Sequence, residues 1–145
     1  MDENVELLNY IHKDSEMGIT SLTALIRKLN TKDNKIKKIV EAELKGYENF
    51  KKESEKLLKK HKSEVIDASM MAKTMSTVKL NFEVMKDNSD AKIADILTKG
   101  FTMGTIDMNK KIEAYKDDAE KDILSLAKNF LKFQEENIEI LKEYL

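Results

Sequence analysis

Apolar residues recur at intervals of three and four along most of the chain, and short polar stretches separate the segments that show this spacing. Steps of three and four place side chains on one face of an α-helix. Polar stretches at residues 30–34, 60–64, 86–90 and 115–120 therefore separate five predicted helices, of which the third is short. The stripe of the first helix is Leu8, Ile11, Ser15, Gly18, Leu22, Leu25 and Leu29.

The other four helices carry stripes of the same kind. The second has Ile36, Val40, Glu43, Tyr47, Phe50, Ser54 and Leu57, and the short third has Met71, Met75, Val78, Phe82 and Met85. The fourth has Leu97, Phe101, Gly104, Met108, Ile112 and Tyr115, and the last has Ile123, Ala127, Phe130, Gln134, Asn137, Leu141 and Tyr144. Asp33, Ser89 and Asp117 are the expected N-caps, because a side-chain oxygen there can accept a bond from a free backbone amide.

The lengths of the predicted links indicate an architecture. Tight links join the first helix to the second and the fourth to the last, which predicts two antiparallel hairpins of helices ~40 Å long. Residues 62–89 then connect the hairpins, and two hairpins with one long crossover give ferritin-like connectivity. We therefore expect a single all-α domain over residues 1–145, an antiparallel four-helix bundle with an extra short helix in the crossover.

Composition restricts the classes of partner. Hydrophobic residues make up 41% and charged residues 37% of the chain, proline is absent and the net charge is −1. This balance suits long amphipathic helices and favours neither nucleic acid nor an anionic membrane. No cysteine is present, and neither a signal-peptide pattern nor an apolar run of ~20 residues is found. A soluble cytoplasmic protein is the expectation.

All four glycines, Gly18, Gly46, Gly100 and Gly104, fall inside predicted helices. A glycine in a helix interior costs about 1 kcal/mol relative to alanine, so some packing advantage must offset it. Gly18 and Gly104 occupy equivalent positions of a weak repeat with an offset of 86 residues. One interpretation is that these glycines allow close backbone approach where helices cross. The alternative is that Gly100 and Gly104 make room for large Phe and Tyr side chains.

A ferritin-like bundle raises the question of a metal centre. A di-iron site takes a Glu from each of two helices and a Glu-x-x-His from each of the other two, and this chain has no Glu-x-x-His. We therefore predict no metal, no cofactor and no catalytic residue. If a metal does bind, the candidate ligands are His12, Glu16, Glu43 and Asp107, with His12 and Glu16 one helical turn apart.

Polar residues on the apolar stripes need partners if they are buried. Glu43, Tyr47, Gln134 and Asn137 are therefore expected to form a buried polar network that fixes helix register between the hairpins. A ligand-binding role for the same four residues is the alternative. The Met side chains of the short third helix are expected in the core, or else as a cover over an apolar groove.

Four segments together resemble a known family: MGITSLTAL (17–25), MAKTMSTVKLNFEVMKDNSD (71–90), GFTMGTIDMNKKIEAY (100–115) and LAKNFLKFQEENIEILKEYL (126–145). They are similar to a family of uncharacterised bacterial proteins of about this length. A more distant likeness is to the ferritin and rubrerythrin superfamily, from which the chain departs at every imidazole ligand. The resemblance implies an all-α bundle without an established activity and carries over no catalytic residue.

Three functional hypotheses follow. The first is a non-catalytic bundle that acts through protein association, including a homodimer. The second is a degenerate metal- or redox-linked relative of ferritins. The third is a carrier for a small apolar ligand held beneath the crossover helix.

Overall fold

Four α-helices make up most of the computed structural model, which describes residues 2–29, 33–61 and 86–145. They are α1 (Glu3–Lys28), α2 (Lys37–Lys60), α3 (Asp90–Tyr115) and α4 (Lys121–Leu141), and a 3-10 turn, Lys142–Tyr144, follows α4. These ranges contain no strand, which confirms the all-α class for the described part of the chain. The predicted crossover helix, including Met71, Met75, Val78, Phe82 and Met85, lies outside the described residues.

None of these helices combines the length and the apolar character that crossing a membrane requires, as far as residues 2–29, 33–61 and 86–145 are concerned.

The predicted apolar stripes correspond to the buried faces of the four helices. The fully or almost fully buried apolar side chains include Leu8, Ile11, Leu22, Leu25, Ile36, Val40, Ile93, Leu97, Phe101, Met108, Ile112, Ile123, Ala127, Phe130 and Leu141. The stripe of α2 drifts at its end, where Leu58 rather than Leu57 is fully buried. This drift is expected because a helix turns every 3.6 residues, and alternating steps of three and four follow that period only approximately.

Only one of the three predicted N-caps forms. Ser89 accepts a hydrogen bond of 3.2 Å from the backbone amide of the third residue after it. The caps predicted at Asp33 and Asp117 are wrong, because α2 and α4 begin three residues later, after Ile36 and Glu120, without a side-chain cap. At the start of α4, the backbone amide of Glu120 instead donates to the side chain of Asn4 in α1.

Helix contacts are most extensive within the pairs α1–α2 and α3–α4, and α1 and α2 also contact α4. Residues further along α1 contact residues nearer the start of α2. His12 lies 3.0 Å from Glu55 between Nε2 and Oε1, and Glu16 lies 3.5 Å from Lys51 between Oε1 and Nζ.

One end of the molecule brings together the start of α1, the end of α2 and the turn between α3 and α4. The side chain of Asn4 accepts a hydrogen bond of 2.7 Å from the backbone amide of Glu120. The Tyr115 hydroxyl donates to the Glu6 carboxylate, and His61 Nε2 lies 3.3 Å from a Glu120 carboxylate oxygen.

At another place in the fold, the start of α2 contacts the start of α3. Asn34 Nδ2 donates to the backbone oxygen of Asn88 at 2.8 Å and to Asp90 Oδ1 at 2.9 Å. A single amide thereby joins two segments that are more than 50 residues apart in sequence.

Candidate functional site

A cavity of about 150 Å³ lies where α1, α2 and α3 meet. Its walls are mostly apolar and include Leu22, Leu97 and Phe101. It reaches the surface beside Gly100, which is exposed and whose missing Cβ would meet nothing within 4 Å. An apolar cavity of about this volume accommodates a molecule the size of benzene.

Asp14 on α1 is the one charged side chain among the described residues that line this cavity. Its carboxylate Oδ2 accepts a hydrogen bond of 3.0 Å from Gln134 Nε2 on α4. Burial raises the pKa of Asp14 to about 6, and the nearby charge of Asp107 adds to the rise while the Gln134 hydrogen bond opposes it. Asp14 is therefore mostly ionised at neutral pH, in an environment with little solvent.

Two tyrosines stand close to this carboxylate. Burial raises the pKa of Tyr10, and the charges of Asp14 and Asp107 raise it further. The pKa of Tyr47, which lines the cavity, is also raised, first by burial and then by nearby negative charge. The ring of Tyr47 stacks on that of Phe101, with centroids 5.8 Å apart and planes 6° from parallel. Both phenols stay neutral, and the stacked pair gives one cavity wall an aromatic face.

The acidic character of this site is not neutralised by an ion pair within the described ranges. No lysine or arginine described there lies within 4.0 Å of the carboxylate of Asp14 or Asp107. The cationic group seen nearby, Lys111 Nζ, lies 5.2 Å from the centre of the Tyr10 ring. The cavity therefore combines mostly apolar walls with one carboxylate that has no ion-pair partner in the described ranges.

The surroundings of the glycines favour room for side chains over close approach of helix backbones. A Cβ on Gly18 would fall less than 3.0 Å from the ring of Tyr47, and one on Gly46 would meet Phe133 in the same way. A Cβ on Gly104 would displace the amide of Gln134. At Gly18, Gly46 and Gly104 the atoms nearest to an added Cβ belong to side chains, and the backbone crossings stay a prediction.

Gly100 differs from the other three glycines. It is exposed, and a Cβ there would contact nothing, so neither packing interpretation applies to it. Gly100 also lines the cavity, where it is the exposed glycine of the three elements that form the walls.

The predicted polar residues Glu43, Tyr47, Gln134 and Asn137 are all buried, but the network expected among them is wrong. Gln134 donates a hydrogen bond to Asp14. Asn137 Nδ2 donates a hydrogen bond of 2.8 Å to the backbone oxygen of Phe133, one turn earlier in the same helix. Neither carboxylate oxygen of Glu43 has a hydrogen-bond partner in the described ranges. Burial alone raises the pKa of Glu43 to about 8, so this side chain is mostly protonated at neutral pH.

The four candidate metal ligands do not come together as one set. His12 and Glu16 lie side by side, with Nε2 and Oε1 3.7 Å apart, but the third member of their cluster is Glu55 on α2. Glu43 and Asp107 are not part of that cluster. Asp107 instead acts on the pKa of Tyr10 and Asp14.

Two of the residues that matter most, Asp14 and Glu55, were missed by the sequence analysis. Asp14 lies one turn after Tyr10 and one turn before Gly18, and this row of four-residue steps beside the main stripe is the signal that could have identified it. For Glu55 the sequence contains no local signal, because its partners lie more than 35 residues away on another helix.

No protein-family model, curated protein or solved structure matches this chain. The resemblance to uncharacterised bacterial proteins, and the more distant one to ferritins, therefore stay predictions.

Proposed function

We propose that the described helices form an antiparallel four-helix bundle with ferritin-like connectivity. Within the first pair, residues 12 and 55, 16 and 51, and 18 and 47 are neighbours, so each pair of numbers adds to about the same total. Gly104 and Gln134 make the corresponding contact in the second pair. The two contacts 18–47 and 104–134 differ by 86 and 87 residues, in agreement with the internal repeat.

The bonds at the two ends support the long crossover. His61 at the end of α2 lies beside Glu120, which follows the end of α3, whereas the start of α3 contacts the start of α2. These contacts favour α2 and α3 running in the same direction, with residues 61 and 86 at opposite ends of the proposed bundle. A long crossover is the feature that distinguishes ferritin-like bundles from bundles with short links throughout.

We propose that this protein is a non-catalytic binding protein for a small primary amine whose apolar body is about the size of a benzene ring. The observation that carries the proposal is the Asp14 carboxylate, which faces a mostly apolar cavity without a positively charged partner in the described ranges. This site lies among α1, α2 and α3, and the crossover helix of the carrier hypothesis lies outside the described residues.

The chemistry of the cavity fits a protonated amine in two ways. A carboxylate surrounded by apolar groups attracts an opposite charge more strongly than one in water, because the effective dielectric constant is lower. The stacked rings of Tyr47 and Phe101 offer apolar contact area and a π face, which also attracts a cation. Tyr10 and Asp107 lie close enough to Asp14 for their charges and its own to act on one another.

Calorimetry with benzylamine and its neutral analogue benzyl alcohol, at pH 7.5, tests this proposal. We expect benzylamine to bind about tenfold more tightly or better, which corresponds to ~1.4 kcal/mol. Asp14→Asn should remove this preference while leaving weak binding of both compounds. Gly100→Leu should weaken both equally, because it adds a large side chain to a residue that lines the cavity, at a position where a Cβ meets no atom within 4 Å.

Equal affinity of the unmodified protein for the two compounds would overturn the role of Asp14. Binding that is insensitive to Gly100→Leu would overturn the cavity as the place of binding. Circular dichroism of each variant establishes that the helices are retained.

A second candidate function is self-association, which the exposed apolar side chains of α3 favour. Met103 is 67% and Ile106 is 51% exposed, three residues apart on one helix. Large apolar side chains grouped on a surface are typical of protein contacts. Sedimentation over a hundredfold range of protein concentration should show a dimer. The double variant Met103→Gln, Ile106→Gln should be a monomer over the same range. A monomeric unmodified protein at every concentration would contradict this candidate.

A further inference from the structure

We propose that His12, Glu16 and Glu55 bind one divalent transition-metal ion, with zinc as the best fit, at the contact between α1 and α2. One imidazole nitrogen and one oxygen from each carboxylate all lie within 4.8 Å of one another. His12 Nε2 is 3.0 Å from Glu55 Oε1 and 3.7 Å from Glu16 Oε1. Residues 43 positions apart in sequence are thus held around one point.

These separations match a coordination shell. Zinc binds histidine nitrogen and carboxylate oxygen at ~2.0–2.2 Å, which places neighbouring ligand atoms ~3.0–3.5 Å apart. The two distances from His12 Nε2, 3.0 and 3.7 Å, lie within a few tenths of an ångström of this range, and the two carboxylate oxygens lie within 4.8 Å of each other. Three protein ligands leave a further position for water, as in other three-ligand zinc sites.

An unpaired polar atom in the cluster provides a second observation. The second oxygen of Glu16, Oε2, is buried and has no hydrogen-bond partner within the described ranges. His12 is fully buried, and its Nε2 faces both carboxylates. Buried polar atoms without partners are unfavourable, and a bound cation would offset this for Glu16 by drawing its carboxylate into coordination.

Charge and ligand type favour a transition metal over calcium or magnesium. Two carboxylates and a neutral imidazole carry a charge of −2, which one divalent ion balances. Lys51 is the competing cation, since its Nζ lies 3.5 Å from Glu16 Oε1, but its side chain is 37% exposed and free to turn towards solvent. A mixed nitrogen and oxygen set suits zinc, cobalt or manganese, whereas calcium and magnesium take oxygen ligands.

This site is separate from the cavity at Asp14 and does not depend on the proposed amine binding. It also differs from the two-ion centre that the ferritin resemblance raises, because one helix pair supplies every ligand. A negative result for amine binding would not contradict metal binding, and the reverse also holds, because neither Asp14 nor Gly100 belongs to the metal cluster.

Titration of chelator-treated protein with Zn²⁺, and with Co²⁺ as a spectroscopic probe, tests the proposal. We expect one ion per chain, with visible cobalt absorption that reports nitrogen and oxygen ligands. Glu55→Gln should weaken binding by about 10–100-fold or more. Glu55 is about one-third exposed, so this change leaves the core undisturbed.

Two further variants distinguish a metal site from a structural ion-pair cluster. Lys51→Met should tighten zinc binding several-fold, because it removes the competing ammonium group. His61→Gln, which removes the other histidine at the far end of α2, should leave the affinity unchanged.

Absence of stoichiometric zinc binding would overturn the proposal. So would loss of binding in His61→Gln, or equal affinity of the unmodified protein and Glu55→Gln.

Discussion

Glu43 is an acidic side chain on the core face of α2, where only 1% of its surface is exposed. Its two oxygens have no hydrogen-bond partner in the described ranges, and burial raises its pKa to about 8. The unfolded chain holds the proton less tightly, with a pKa near the ordinary glutamate value of 4.5. Between these two values the folded protein binds more protons than the unfolded chain, so the free energy of unfolding falls as the pH rises.

Replacing Glu43 by Gln should remove this dependence. The amide keeps nearly the shape of the protonated acid but does not ionise, so the variant should be more stable than the unmodified protein at pH 9 by roughly 3–5 kcal/mol. At pH 4 the two proteins should differ little. Urea unfolding at both pH values measures the difference, and an equal gain at pH 4 and pH 9 would contradict the assigned titration.

Two glycines offer a matched pair of substitutions. Gly100→Ala should raise the free energy of unfolding by about 1 kcal/mol, because the new Cβ meets no atom and alanine favours the helix. Gly18→Ala should lower it by about 1 kcal/mol, since the clash with the Tyr47 ring outweighs the gain in helix propensity. Thermal unfolding measures both, and a destabilised Gly100→Ala would contradict the open surroundings of that residue.

At the residue scale, the sequence predicted which side chains are buried better than it predicted their partners. Glu43, Gln134 and Asn137 are buried as expected from the helical period, which determines the face on which a residue lies. The period does not determine the axial position of the neighbouring helix or the rotamers. Gln134 therefore bonds to the unpredicted Asp14, and Asn137 bonds within its own helix.

At the scale of elements, an aromatic cluster connects α2, α3 and α4. Phe50 and Phe130 meet with ring centroids 4.9 Å apart, and Tyr47 and Phe133 meet at 5.1 Å. Phe101 joins the cluster from α3 through its stack on Tyr47. Gly46 leaves the space that Phe133 fills, so the cluster depends on one missing side chain in α2.

Phe130→Ala should lower the free energy of unfolding by about 3–5 kcal/mol, because this ring is fully buried and its removal leaves a cavity. Met103→Ala on the exposed face of α3 is the matched control and should change stability by less than ~0.5 kcal/mol in the monomer. Chemical denaturation at low protein concentration measures both. A small effect of Phe130→Ala would indicate that the three helices do not share this core.

The helices themselves were predictable because each has a long, regular stripe ended by polar residues. Their starts were less predictable. The N-cap at Ser89 acts locally and was found, whereas the backbone amide of Glu120 is paired by Asn4, which lies 116 residues earlier in the sequence. A hydrogen bond between such distant residues depends on how the helices pack, and the sequence near Glu120 does not predict it.

At the scale of the whole molecule, the proposed connectivity makes a prediction about distances. Because the chain has no cysteine, pairs of introduced cysteines will carry spin labels only where intended. Labels at Lys60 and Asp122 should lie close together, since these side chains approach to 3.8 Å between Nζ and Oδ2. Labels at Lys60 and Lys92 should be separated by about the length of α2, ~36 Å for 24 residues.

A bundle with short links throughout would place the start of α3 beside the end of α2. The distance between labels at positions 60 and 92 would then be short. Double electron–electron resonance distinguishes the two patterns. A short distance between positions 60 and 92 would contradict the long crossover.

The open edge at Gly100 has an evolutionary consequence. Alanine there would strengthen the helix and disturb no neighbour, so selection for stability alone would favour replacing the glycine. The residues that homologous sequences carry at this position therefore provide an independent test. Small residues retained at this position would indicate selection for access to the interior, whereas drift to alanine, leucine or lysine would indicate that the cavity serves no purpose.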